Sequence, residues 1–253
     1  AALRYAKSHG SQTLGIVNAV ETTIAREADK RIYTYAGPEI AVATTKGYCT
    51  QASVLYAIAA AAGLARGVMD AACAAELMRD IEEEVPAVLL QMLEKEAQFR
   101  RIAKALADHE HVFYIGRGLD YAMSMEGALK LKEISYIHCE AYAAGELKHG
   151  TISLIEPGTP VIALATDPAL FEKTESNLRE VRSRGAQVTL ICPEGTTVPA
   201  ESADEIVRLP ECSAPARLFA SLLAVQMIAY EAAAFRGCDI DRPRNLAKSV
   251  TVE

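Results

Sequence analysis

A chain of 253 residues with 51% hydrophobic content is long enough to bury one large or two ordinary cores, and its composition is globular. A formal charge of −7, with Lys and Arg scattered rather than massed, argues against a nucleic-acid surface or an anionic-membrane surface. The longest apolar run, AIAAAAGLA at 57–65, is far short of the roughly 20 residues that span a bilayer, so a soluble protein is expected.

The N-terminus, AALRYAKSHG, has no initiator Met and no signal-peptide pattern, and reads as a segment cut from something longer. Residues 3–12 (LRYAKSHGSQ) recur as residues 178–187 (LREVRSRGAQ) at an offset of 175, with identities at Leu3/Leu178, Arg4/Arg179, Ser8/Ser183, Gly10/Gly185 and Gln12/Gln187. Each copy continues as a helix, a glycine stop and an apolar strand (TLGIVNA; VTLIC). At the same offset Ala28-Asp29 matches Ala203-Asp204, each leading into a second short strand (RIYTYA; EIVRLP). Long Ala-rich helices follow at about 43–65 and 214–235, both ending in Arg-Gly.

Two tandem α/β domains with parallel sheets flanked by helices follow from this pattern. The expected boundaries are a first domain over 1–69, a Glu-rich helical connector over 70–106, a second domain over 107–237 and a tail over 238–253. The second copy begins about 67 residues ahead of its Leu178, the first only two ahead of Leu3, so the first domain is expected to be truncated by roughly 65 residues at its N-terminal side.

In the first domain, Thr44 and Thr45 of AVATTKGYCTQ stand where a helix begins, as N-caps, as sugar-binding hydroxyls or as both. Six cysteines lie far apart without a CxxC pair, which predicts free, mostly buried thiols in a reducing cytoplasm. His138 and Cys139 are expected to be adjacent on a helix, where they cannot readily chelate.

The segment HVFYIGRGLDYAMSMEGALKLKEISYIHCEAYAAGELKHG, from residue 111, opens as strand, glycine turn and helix. Gly116 and Gly118 permit the turn, which is either structural or an anion site at the helix start. Glu126, Lys130 and Glu133 share one helix face at i, i+4 and i+7. They form either an exposed ion-pair stripe or, given Ala122, Met125, Ala128, Leu129 and Ile134 around them, part of a packed element in which a carboxylate with a raised pKa acts as a base. His149 sits between two glycines in GELKHG, either as a surface residue or as an imidazole suited to proton transfer with a sugar hydroxyl.

GALKLKEISYIHCEAYAAGELKHG together with the terminal RPRNLAKSVTVE resembles the isomerase half of the glutamine:fructose-6-phosphate aminotransferases, and the likeness extends over the whole chain, including AGPEIAVATTKGYCTQ and the tandem repeat. The resemblance implies two sugar-isomerase (SIS) domains of three-layer αβα type. It implies synthesis of glucosamine 6-phosphate from fructose 6-phosphate and ammonia, the ammonia coming from glutamine in an N-terminal glutaminase domain absent from this chain. It implies Lys248 as the Schiff-base lysine, Glu133 as the base between C1 and C2, His149 as the ring-opening residue supplied across a homodimer, and Lys130 as an assisting residue. Val42, Thr44 and Ala247 resemble positions that hold the sugar. No metal or organic cofactor is implied. Arg242 and Arg244 are candidate cations for keeping Lys248 neutral. The family's Ser/Thr/Gly-rich phosphate loop lies ahead of the helix that opens this chain, so no phosphate cradle is assigned; without it, poor folding of the first domain and no useful affinity for a sugar phosphate are expected. A fructosamine-6-phosphate deglycase and a non-catalytic sugar-phosphate-sensing module are the alternatives.

Overall fold

The computed structural model describes residues 1–248; the last five residues of the expected tail lie outside it. The chain divides into two compact units, residues 1–79 and 80 onward.

The first unit contains helices α1 (Ala2–Ser8) and α2 (Thr23–Glu27), strands β1 (Leu14–Val17) and β2 (Lys30–Tyr33), and helices α3 (Lys46–Ala65) and α4 (Ala71–Arg79). Its sheet is the parallel pair β1-β2. The second unit begins with a π-helical turn, Asp80–Glu84, then α5 (Val85–Leu93) and α6 (Glu96–Leu106). Next come β3 (His111–Gly116), α7 (Leu119–Ser135), β4 (His138–Ala143), β5 (Pro160–Leu164), α8 (Phe171–Arg182), β6 (Gln187–Pro193), β7 (Glu205–Leu209) and α9 (Ala214–Phe235). Its five strands are parallel in the order β4-β3-β5-β6-β7.

Both faces of this sheet are covered, which is why its strands read as continuous apolar runs. Alternate residues go to opposite layers. Phe113, Ile115, Val161, Ala163, Val188 and Leu190 pack on one side with Leu178 and Val181 of α8. On the other side Tyr114 meets α7: a Cβ on Gly127 would lie 2.9 Å from the Tyr114 ring and 2.8 Å from Val225 of α9. Glycine there allows α7 to seat between β3 and α9. From α5 onward the Glu-rich helical stretch packs into this unit, because Val85, Val88, Met92, Phe99, Ile102 and Leu106 turn inward and α5 and α6 lie against α9.

The sequence repeat reappears as register. β1 pairs with β2 at Leu14↔Lys30, and β6 with β7 at Thr189↔Glu205, the same positions 175 residues apart. The matched aspartates do matched work: Asp29 accepts from the Thr13 amide at 2.9 Å and Asp204 from the Val188 amide at 2.7 Å, each closing the entry to the first strand of its pair.

Two helices, α3 and α9, are long and apolar enough by length and composition to cross a membrane, a feature that the longest uninterrupted run does not reveal. The apolar window of α9 is 67% buried within the protein and forms its core; that of α3 is 11% buried. All six cysteines are free thiols, with Cys139 and Cys192 fully buried and pushed up by burial to about 12 and about 11. His138 and Cys139 open β4 and do not share a helix. Helix α7 ends at Ser135 because Tyr136 turns left-handed (φ 62°), and the chain then runs extended beside β3, setting His138 against His111.

Candidate active site

Strand β3 ends in Gly116, where a Cβ would come within 2.5 Å of the Asp120 backbone, so only glycine lets the chain double back into α7. The start of α7 is pinned by Asp120, a buried carboxylate that accepts from the Thr166 amide at 2.8 Å and the Thr166 hydroxyl at 2.6 Å beyond the end of β5. Burial pushes its carboxyl up, against the pull of those hydrogen bonds. Arg117, in the same turn, donates to Asn177 at 2.8 Å. This turn lies where strand order reverses between β3's two neighbours, the position at which open α/β sheets collect ligands.

The 126/130/133 face of α7 is not solvated; the exposed stripe of the helix runs through Met125, Leu129 and Lys132. Glu126 is 7% exposed, Lys130 4% and Glu133 23%. Lys130 Nζ donates to Glu133 Oε2 at 2.5 Å, a short charge-assisted bond, and stands 3.7 Å from Glu126 Oε1, which has no hydrogen-bond partner. One ammonium therefore serves two carboxylates, and the geometry gives it to Glu133. Burial, then the Glu133 charge, push Glu126 up to about 7 against the opposing pull of Lys130. Reading the helix by spacing alone does not single out Glu126 as a carboxylate raised by burial.

The other expected site residues are placed as follows. His149 ends the short 3₁₀ turn Leu147–His149 and is exposed, its amide donating to Glu146 O at 3.0 Å. Ala247 and Lys248 are exposed on the tail, Lys248 being the last described residue. That tail folds back on the end of α7: the Arg244 amide donates to Tyr136 Oη at 2.8 Å, and the Arg244 guanidinium lies 4.1 Å from the centre of the Tyr136 ring. Neither Tyr136 nor this contact carries a signal in the sequence. In the first unit, Val42 and Thr44 are half-buried ahead of α3, and Thr45 takes the N-cap position without a side-chain capping bond. Structure thus brings Lys130, Glu133 and Glu126 together; Lys248 shares their unit, and Val42 and Thr44 belong to the other. Among the described residues no three His, Cys, Asp or Glu side chains converge as metal ligands.

Comparison with known proteins places this arrangement. The SIS domain matches residues 1–61 and 105–236. The chain is 52% identical over 256 residues to a glutamine–fructose-6-phosphate aminotransferase (isomerizing) of Symbiobacterium thermophilum, and 46% identical over 253 residues to one of Caldanaerobacter subterraneus. All of this chain aligns, over 41% of the length of each relative. The C-terminal domain of glucosamine-fructose-6-phosphate aminotransferase from Francisella tularensis superposes with a TM-score of 0.91 at 31% identity, over 95% of this chain and 68% of that one. Glucosamine-6-phosphate deaminase from Thermotoga maritima shares the fold (TM-score 0.66, 23% identity, 98% and 70% coverage). The chain belongs to the SIS-domain family and, within it, to the C-terminal domain of the isomerizing glutamine–fructose-6-phosphate aminotransferases.

Proposed function

We propose that this chain carries the sugar-isomerising site of an enzyme that makes glucosamine 6-phosphate from fructose 6-phosphate and ammonia, the first step of amino-sugar synthesis. The ammonia is released from glutamine by a glutaminase domain of the same polypeptide, in a cytoplasmic homodimer. The observation that carries the reading is the buried α7 face, on which Lys130 holds Glu133 at 2.5 Å in a chain of this family. A buried ion pair is costly to build and is weak evidence for stability alone, which favours a chemical use.

The Lys248 amine adds to the C2 carbonyl of the open-chain sugar and water leaves, giving an imine. His149 assists the preceding ring opening by proton transfer at the ring oxygen, reaching the site from the partner subunit. Ammonia then displaces Lys248 from C2. The Glu133 carboxylate takes a proton from C1 and returns it to C2 while the C1 hydroxyl proton passes to nitrogen, so the C2 imine becomes an amine as C1 becomes the aldehyde. Lys130 fixes the Glu133 carboxylate and lies near the reacting oxygens, while Val42, Thr44 and Ala247 hold the sugar. In domain terms the proposal takes a first domain over 1–69, a helical stretch over 70–106 that packs into the second unit from α5 onward, a second domain over 107–237 and a tail bearing Lys248.

Borohydride reduction of the full-length protein with fructose 6-phosphate should attach the sugar at Lys248, and labelling that persists in Lys248→Ala overturns the assignment. Glu133→Gln should keep sugar binding and abolish solvent exchange of the C1/C2 proton; retained exchange removes Glu133 from the base role.

A further inference from the structure

Tyr136 is an aromatic residue in the left-handed region, at φ 62° and ψ 16°, capping α7 one turn beyond Glu133. Glycine or asparagine fills that position at lower cost, so a bulky residue held there points to work done by its side chain. Its amide still closes the helix, donating to Lys132 O at 3.3 Å. Its ring and hydroxyl face the tail.

The path of the tail is fixed by a short series of contacts. After α9, the Cys238 amide donates to Ala233 O at 3.0 Å and its thiol approaches Ser135 O at 3.9 Å, bringing the chain to the end of α7. Asp239 accepts from the Arg242 amide at 2.9 Å, Pro243 is buried, and Arg244 then takes Tyr136 by both its groups, amide on hydroxyl and guanidinium on ring. Asn245 follows at φ 62°, turning the chain immediately after the contact. Lys248 lies four residues beyond Arg244, a reach of at most about 14 Å for an extended chain.

We infer that Tyr136 is a positioning residue, a clamp that docks the tail at Arg244 on the end of the helix bearing Glu133 and so sets the reach of Lys248 toward that carboxylate. It acts through the tail, by its contacts with Arg244. The inference rests on the proposed role of Lys248, but the clamp itself does not. The strained cap and the two-point contact also explain why the arginine two residues beyond Arg242 is engaged through its backbone: a hydrogen bond to the main chain fixes the trace, and the stacked guanidinium fixes its rotation.

The test uses the full-length protein and three variants: Tyr136→Phe, which removes only the hydroxyl, Tyr136→Leu, which removes hydroxyl and ring face, and Arg244→Lys, which keeps a cation. Hydrogen exchange of the 238–248 segment should quicken about tenfold in Tyr136→Phe and further in Tyr136→Leu, with α7 upstream of Lys132 unchanged. Borohydride trapping of fructose 6-phosphate at Lys248, at saturating sugar, should slow about tenfold in Tyr136→Phe with an unchanged half-saturating concentration, and recover largely in Arg244→Lys. Unaltered tail exchange in both Tyr136 variants overturns the clamp. A loosened tail with wild-type trapping overturns the positioning role. A wild-type protein that never labels Lys248 instead defeats the reading on which the role rests, and exchange still decides the clamp.

Discussion

The strand pair β1-β2 with α3 and the strand pair β6-β7 with α9 are the same structure written twice, in the same register, yet they are stabilised differently. Helix α9 lies against α5, α6 and α7 and buries Phe219, Leu222, Val225 and Ile228 completely. Helix α3, nearly as long and as apolar, leaves Leu55 at 55% and Leu64 at 43% exposed, and its fully buried positions are Gly47, Ala60 and Gly63. Composition made the two helices alike; packing made them different, since α9 lies against α5, α6 and α7 whereas α3 lies against α4 and keeps more of its apolar face exposed. Local pairing is thus carried by the repeat itself, whereas core formation is carried by what packs on the repeat.

The largest effect expected from this contrast is in dissection. Residues 80–253 should unfold cooperatively on their own, since five strands and the α5, α6, α7 and α9 packing are all inside them. Residues 1–79, with a two-stranded sheet, should show no cooperative melting by circular dichroism. A sharp transition in the short piece would break the comparison. A matched pair of substitutions comes next: Leu222→Ala should cost about 2–5 kcal/mol by urea denaturation, and Leu55→Ala less than about 0.5 kcal/mol. Equal losses would mean that the α3 face is packed after all.

Cover also lets the second unit bury charge, which the first does not do. Glu126 rises from 4.5 to about 7 on folding, so the folded protein binds the proton more tightly than the unfolded chain. Its contribution is therefore fully favourable below pH ~4.5 and is lost as pH rises through ~7, by about 3 kcal/mol at most. Glu126→Gln should flatten the stability profile across that window, measured as unfolding free energy against pH. An unchanged slope would show that Glu126 keeps its ordinary pKa despite its burial.

How much of this could be read beforehand follows the same division between local and packed. The repeat was legible because glycine stops and strand-opening aspartates are short-range signals, and the α7 face was legible because 3.6-residue periodicity puts 126, 130 and 133 together. The unequal state of Glu126 and Glu133 was not, since it depends on which carboxylate the single Lys130 ammonium reaches. The end of α7 was misread, with His138 placed on a helix, because a tyrosine in the left-handed region is not a recognisable stop. The docking of Arg244 on Tyr136 joins residues 108 apart and leaves no periodic trace at all.

The smallest effect is the one in which the two regions should behave alike. Asp29 and Asp204 each accept an amide at the entry to the first strand of their pair, Thr13 at 2.9 Å and Val188 at 2.7 Å. Each also holds a cation, Lys7 at 2.8 Å for Asp29 and Arg182 for Asp204. The Lys7 ammonium, with Thr13, holds Asp29 down to about 2, so its hydrogen bond is present throughout the neutral range. Both bonds span 16 residues and owe nothing to the helices that distinguish the units. Asp29→Ala and Asp204→Ala should therefore quicken hydrogen exchange of the Thr13 and Val188 amides by similar factors, about five- to tenfold, wherever exchange proceeds by local opening. A much larger effect at Val188 would mean that the strand opening in the covered unit is coupled to its core, and that the repeat is local in sequence but not in energy.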